Sequence, residues 1–252
     1  MINHRWLGII AVSLAIGCQT PDRLGRLPAL AVPRSPTPPV IDGNLGDECW
    51  QRAAVIPSLL PAYQHTVPPQ PTTVRVLWDA KNLYFSFDCV DADVFCTGTK
   101  RHDDALYEED VCEVFIDGFG DGRQFIEIQV NPAGVNLDLM YLFTKAAEYT
   151  PEMRFTPQLC DTDRWKFLEW DLPGLRTAAR RTATGWSAEL AIPAPPIMKR
   201  LGRTDFFSTT IRANFVRYDW AGKELQQQSW STVLLGNPHN SPARMGHLHL
   251  KD

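Results

Sequence analysis

The stretch Thr73-Val74-Arg75-Val76-Leu77-Trp78, Asp79-Ala80-Lys81-Asn82, Leu83-Tyr84-Phe85-Ser86-Phe87-Asp88-Cys89 sets the expected fold. Its outer runs are short and rich in β-branched and aromatic residues, and its middle is a turn-forming tetrad, so it reads as a β-hairpin. The same signature returns at Val111 to Ile116 and Gln124 to Val130. Between these runs lies Asp117-Gly118-Phe119-Gly120-Asp121-Gly122-Arg123, whose glycines permit the positive φ of a tight reversal. Further strands are expected at Gly185 to Ile192, where Trp186, Ala188, Leu190 and Ile192 alternate with polar residues, at Ser208 to Arg217 and at Gly246 to Leu250. At least seven strands separated by turn signals predict an all-β, antiparallel, jelly-roll-like sandwich of roughly 210 residues with little helix. The exception is Phe143 to Arg181, which lacks regular periodicity and carries Pro151, Pro157 and Pro173. It reads as one long loop excursion with at most a short helical turn.

Composition narrows the function classes. The chain has 252 residues, 44% hydrophobic and 21% charged, with a formal net charge of -4. Collagenous, wholly disordered and multi-span membrane proteins are excluded on those figures. No basic cluster is present, and phosphate binding needs concentrated Lys and Arg, so nucleic acid is not an expected partner.

The amino terminus reads as a leader. His4 and Arg5 precede an apolar run from Trp6 to Ile16, too short for a permanent span, and small residues come just before Cys18. Leu14-Ala15-Ile16-Gly17-Cys18 resembles the lipobox of bacterial lipoproteins, in which the cysteine is acylated; Ala15 stands where Leu is commoner. The expected organisation is a signal peptide at 1–17, a Pro-rich extended tether at 18–39 holding Pro21, Pro28, Pro33, Pro36, Pro38 and Pro39, and a folded domain at 40–252. This implies an exported protein of the cell envelope, anchored through Cys18 or secreted, whose only membrane contact is that lipid. With Cys18 acylated, Cys49, Cys89, Cys96, Cys112 and Cys160 remain; one or two disulfides are compatible with export, and the pairing is open. No CxxC pair supports a structural zinc site.

Strand alternation sorts the polar residues. With Ile126, Ile128 and Val130 facing one way, Glu127, Gln129 and Asn131 face the other. Ile211, Ala213 and Phe215 place Arg212, Asn214 and Val216 opposite, and Cys112, Val114 and Ile116 place Val111, Glu113, Phe115 and Asp117 opposite. Alternation alone reads this polar side as the solvated face of an antiparallel sheet.

Val40-Ile41-Asp42-Gly43-Asn44-Leu45-Gly46-Asp47-Glu48-Cys49-Trp50 resembles the opening of the family 9 carbohydrate-binding modules. Similar pieces follow in order: Val74 to Asp79, Asn82 to Phe85, Asp110 to Asp117, Gly185 to Pro193, Ser229-Trp230-Ser231 and Met245 to Leu248. The resemblance implies a sandwich that binds sugar without cleaving it, with no catalytic residues. It assigns a stacking aromatic to Tyr107, in place of the usual tryptophan, and a hydroxyl-binding carboxyl to Glu113. It assigns further polar contacts to Gln129 and Arg212, with Asn214 beside the latter. A second, opposing tryptophan of the family is absent near the carboxyl end, where His239 is the candidate to close the site and Trp165, Trp170 or Trp220 could reach in.

Other chemistries carry less. Asp103, Asp104, Glu108, Glu109 and Asp110 crowd one acidic loop, expected to be mostly solvated, and do not form a hydrolase pair across a cleft. No cofactor is expected. Calcium could use that loop with Asp91 and Asp93, or with Asp117 and Asp121, but the spacing fits no defined calcium loop. Haem ligation, the minority alternative, would need His102, His247 or His249, which read as surface histidines. The competing class is an interaction module of the same fold that has no sugar site.

Overall fold

The structure, a computed structural model, describes residues 26–62, 70–143, 158–161, 164–199, 202–207, 209–233 and 241–252. In chain order the first strands are β1 (Ala29–Pro33), β2 (Ala54–Ile56), β3 (Leu60–Pro61), β4 (Thr72–Trp78), β5 (Asn82–Val90), β6 (Val111–Asp117), β7 (Gln124–Val130) and β8 (Asn136–Phe143). They are followed by β9 (Gln158–Asp161), β10 (Arg164–Phe167), β11 (Arg176–Thr182), β12 (Gly185–Pro193), β13 (Thr210–Ala221), β14 (Glu224–Ser229) and β15 (Gly246–Lys251). Helix among the described residues is confined to α1 (Ala194–Met198) and a few 3₁₀ turns.

The two expected hairpins fall in different sheets. The small sheet runs β11-β12-β5-β4-β2, and the large one runs β1-β15-β13-β6-β7-β8-β10-β9, with β14 pairing β13 and β3. The β4–β5 turn closes because Asp79 Oδ1 accepts from the amides of Lys81 and Asn82, both at 2.7 Å. The β6–β7 turn is wound around Asp117, whose carboxylate accepts from Phe119, Gly120 and Gly122 amides at 3.0, 2.8 and 2.7 Å. Gly120 and Gly122 take the positive φ expected of them; Gly118 serves closeness instead, since a Cβ there would lie 2.7 Å from the Ile197 side chain.

The main core lies between the sheets. Val114, Ile116, Ile126, Ile128, Ala213 and Phe215 of the large sheet meet Val74, Val76, Phe85, Phe87, Trp186 and Leu190 of the small one. Each such large side chain contributes about 1.5–3 kcal/mol of burial free energy. The all-β sandwich read from the sequence is the observed fold.

Four expectations change. The tether does not reach Val40: Ala29 to Pro33 pair in parallel with His247 to Lys251, and Val32 is buried. An extended, proline-flanked segment suits an edge strand as well as a tether, because Pro33 stands at its end, where a missing amide costs little. Nor is Phe143 to Arg181 one loop, for β9, β10 and all but the last residue of β11 lie within it. These are outer strands held by backbone pairing, so they do not need the alternation of a half-buried strand. The polar face of the large sheet is not simply solvated, because Leu106, Val111, Phe115, Phe125, Leu137, Leu139, Tyr141, Val216, Tyr218 and Met245 form a second apolar cluster on it. Finally, Glu109 and Asp110 of the acidic loop are buried.

Candidate functional site

The family-like opening at Ile41 to Trp50 is a strap across the outer side of the small sheet. Buried Glu189 of β12 accepts from the amides of Asp42 and Gly43 at 3.0 and 2.8 Å and from Trp50 Nε1 at 2.8 Å. Gly43 has φ 81°, and a Cβ there would sit 2.9 Å from the Ala179 carbonyl carbon. This motif is therefore structural, with no ligand role visible in its contacts.

The outer face of the large sheet is different. Cross-strand register aligns Glu113 with Gln129 and with Val216, and Gln129 with Leu137. The next row holds Phe115, Glu127 and Leu139. Above them a cavity of about 330 Å³ is lined by Tyr107, Glu113, Glu127, Gln129, Lys166 and Trp220, with Gln227 and an apolar floor that includes Tyr141 and Tyr218.

Its rim and floor have distinct physical characters. Tyr107 stands on a 3₁₀ turn anchored by fully buried Leu106, and it is 45% exposed. The carbonyl of Tyr107 accepts from Trp220 Nε1 at 3.0 Å, which brings a second aromatic side chain to the same rim. Asp110 fastens this loop to β13, accepting from the amides of Trp220 at 2.8 Å and Phe95 at 2.6 Å. Burial pushes its carboxyl up to about 7 against those bonds, with Asp91 adding to the rise. Glu109 is held by Thr97 and by Asn131 Nδ2, the latter at 2.9 Å. Two carboxyls read as solvated thus position the aromatic rim.

On the floor, Glu113, Glu127 and Gln129 are all nearly inaccessible. Burial first, and the neighbouring Glu127 second, push the Glu113 carboxyl well above the usual carboxylate range. Glu113 consequently keeps its proton to higher pH and can donate to a hydroxyl as well as accept from one. Gln129 Nε2 donates to Glu127 Oε1, which leaves Gln129 Oε1 buried with no partner; Gln227 Oε1 is in the same condition. Unpaired buried acceptors of this kind cost on the order of 1–3 kcal/mol each, a cost that a ligand hydroxyl offsets.

The structure thus brings Tyr107, Glu113 and Gln129 to one cavity. It does not bring Arg212 and Asn214 there, although both share the sheet face. Arg212 pairs with Asp117, four residues or roughly 13 Å along β6 from Glu113, and its guanidinium donates to the carbonyls of Gly120 and Pro242 at 3.3 and 2.8 Å. Asn214 is buried, its Nδ2 donating to Ser229 Oγ at 2.9 Å and its Oδ1 accepting from the Ser231 amide at 2.9 Å. Both serve as turn and strand supports. Trp165 and Trp170 pack toward the inter-sheet core, and Trp220 alone of the three reaches the cavity. His239 and Cys18 lie outside the described residues. Glu127, Lys166 and Gln227 were not singled out from the sequence, although the alternation that selects Gln129 also selects Glu127.

A second hollow, about 820 Å³ and more open, lies behind the small sheet at Arg34, Asp79, Lys81 and Arg176. Its aromatic, Tyr84, is buried and bonded through its hydroxyl to Asp79 at 2.7 Å, so it presents no stacking face. Metal-ligating groups converge at two places among the described residues. His102, Asp103, Asp138 and Asp171 form one cluster, and Asp91, Asp93 and Asp219 the other. In the second, Arg217 already neutralises Asp91, with Nη2 2.8 Å from its carboxylate. In the calcium reading that pairs Asp117 with Asp121, Asp117 is already taken up by the turn amides.

Comparison with known proteins agrees with this architecture. Residues 41–252 match the family described as carbohydrate family 9 binding domain-like. A family 9 carbohydrate-binding module from Caldicellulosiruptor kristjanssonii, solved with cellotriose, superposes with a TM-score of 0.60 at 16% identity, covering 89% of this chain and 94% of that one. The module from that organism solved with glucose gives a TM-score of 0.57 at 17% identity over 88% of this chain and 95% of that one. A candidate carbohydrate-binding protein from Bacteroides uniformis gives 0.65 at 14% identity, covering 90% of this chain and all of that one. No curated protein sequence matches the chain. With the opening strap, the ordered strand motifs and the sandwich all in place over residues 41–252, the chain belongs to the carbohydrate family 9 binding domain-like family.

Proposed function

We propose that the protein binds carbohydrate, without cleaving it, in the cavity bounded by Tyr107 and Trp220. The observation that carries this reading is an aromatic rim, Tyr107 exposed and Trp220 partly so, over a floor of buried hydrogen-bonding groups, among them the unpaired acceptors of Gln129 and Gln227. A pyranose presents an apolar C–H face to an aromatic ring and hydroxyls at its edge, which is the pairing this cavity offers. Its volume, about 330 Å³, lies at the low end for ligand sites and suits a mono- or disaccharide unit. The solved relatives with cellotriose and glucose support the same ligand class. Glu113 and Glu127 work as binding groups here. We propose further that the chain is exported and lipid-anchored at Cys18, on the strength of the lipobox-like Leu14 to Cys18; mass analysis of the mature amino terminus checks it.

Calorimetric titration with glucose, cellotriose and a panel of other soluble glycans tests the binding reading. At least one sugar should bind, and Gln129→Ala should weaken it about tenfold or more through loss of a buried polar contact. No heat with any sugar would leave the fold as an interaction module.

A further inference from the structure

Cys89 and Cys112 face each other across the sandwich. Cys89 stands on β5 of the small sheet and Cys112 on β6 of the large one; both are wholly buried, and their Sγ atoms are 3.5 Å apart. The corner around them is fixed from the other strands. Arg217, the β13 partner of Cys112, donates to the Val90 carbonyl at 2.9 Å, the Asp91 carboxylate at 2.8 Å and Thr72 Oγ1 at 3.3 Å. Val90 and Asp91 directly follow Cys89, and Thr72 is its partner on β4. The two backbones are therefore held within thiol reach by bonds that do not involve sulfur. A covalent S–S bond is about 2.05 Å, so roughly 1.5 Å of sulfur travel closes it.

We propose that Cys89 and Cys112 form an inter-sheet disulfide in the exported protein. The two S–H bonds break and one S–S bond forms, releasing two protons and two electrons. A disulfide oxidant, either oxidised glutathione or an exported thiol–disulfide oxidoreductase, takes the electrons and is reduced to two thiols. Neither thiol is accessible in the closed sandwich, and burial together with the neighbouring thiol pushes the Cys112 thiol well up. Exchange therefore precedes closure of the sheets, while a thiolate can still form and attack. The other described cysteines are placed elsewhere: Cys49 in the cluster beyond the small sheet, Cys96 beside Glu109, and Cys160 on β9 at the far end of the large sheet. The proposal does not depend on the sugar site.

The test refolds the reduced, denatured chain in a glutathione redox mixture, then alkylates it under denaturing conditions and digests it without reduction. A peptide pair joined through Cys89 and Cys112 is expected, two hydrogens lighter than its separate parts. Thermal unfolding should drop by roughly 5–10 °C on adding reductant, from the loss of a link closing a loop of this length. The double variant Cys89→Ala/Cys112→Ala should melt where the reduced protein does and ignore reductant. Should it fail to fold, the reductant comparison on the unchanged chain still decides. Recovery of both cysteines alkylated after oxidative refolding, or of either joined to another cysteine, overturns the proposal.

Discussion

Tyr107→Ala separates a binding ring from a structural one. The Tyr107 ring is 45% exposed, and its turn is anchored by Leu106 and by Asp110 rather than by the ring itself. The bond that Trp220 donates goes to the Tyr107 backbone carbonyl, which alanine retains. Removing the ring should therefore change folding stability by no more than about 0.5 kcal/mol, which is about 1–2 °C in a domain of this size. Ring stacking on a sugar contributes about 0.5–1.5 kcal/mol beyond area burial, and the lost contact area adds to that. A total near 1.5 kcal/mol corresponds to a roughly tenfold weaker Kd. Tyr107→Phe keeps the ring and should bind within about twofold of the unchanged protein. Calorimetric titration gives the affinity and scanning calorimetry the stability. An unchanged Kd in Tyr107→Ala refutes the ring as a contact; a melting temperature that falls together with affinity refutes its independence from the fold.

Three other outcomes follow from the contacts. Glu189→Ala strands the amides of Asp42 and Gly43 and the indole of Trp50, and should cost about 3–5 kcal/mol in a urea titration followed by tryptophan fluorescence; a cost below about 1 kcal/mol contradicts the strap. Gly43→Ala meets both a positive φ and the Ala179 backbone, and should lose about 1–3 kcal/mol in the same assay, with a neutral result counting against the close approach. Burial pushes Asp110 up to about 7 and Asp138 up to about 6, from 3.8. A raised folded-state carboxyl adds stability that is complete below the unfolded value and lost as pH climbs through the folded one. Melting temperature should accordingly fall by several degrees between about pH 4 and 7, and a flat or rising curve contradicts this.

Much of the sandwich is legible because half-buried strands write their burial into a period of two. Thr73 to Cys89 and Val111 to Val130 show it, and the same period put Glu113, Glu127 and Gln129 on one side of the large sheet. Other parts left no such mark. β10 and β11 lie in the segment read as a loop, because pairing at or near a sheet edge uses backbone groups that any side chain carries. Trp220, one of the three tryptophans expected to be able to reach in, is the one at the rim, because β13 runs on past Arg217 to Ala221 and the alternation from Arg212 through Val216 and Tyr218 leads to it. Arg212 and Asn214 show the converse limit. A shared face does not specify position along the strand: Asn214 stands level with Phe115 and Arg212 with Asp117, both past the Glu113 row. Glu109 and Asp110 read as solvated because a charge cluster carries no sign of the amide donors that fold around it.

A crystal structure of the protein with a bound oligosaccharide is the most direct check on the site. A sugar ring against Tyr107, with hydroxyls about 3 Å from Gln129 and Glu113, is the predicted result. Sugar lodged instead in the hollow at Arg34, Lys81 and Arg176, with nothing bound between Tyr107 and Trp220, would contradict the account.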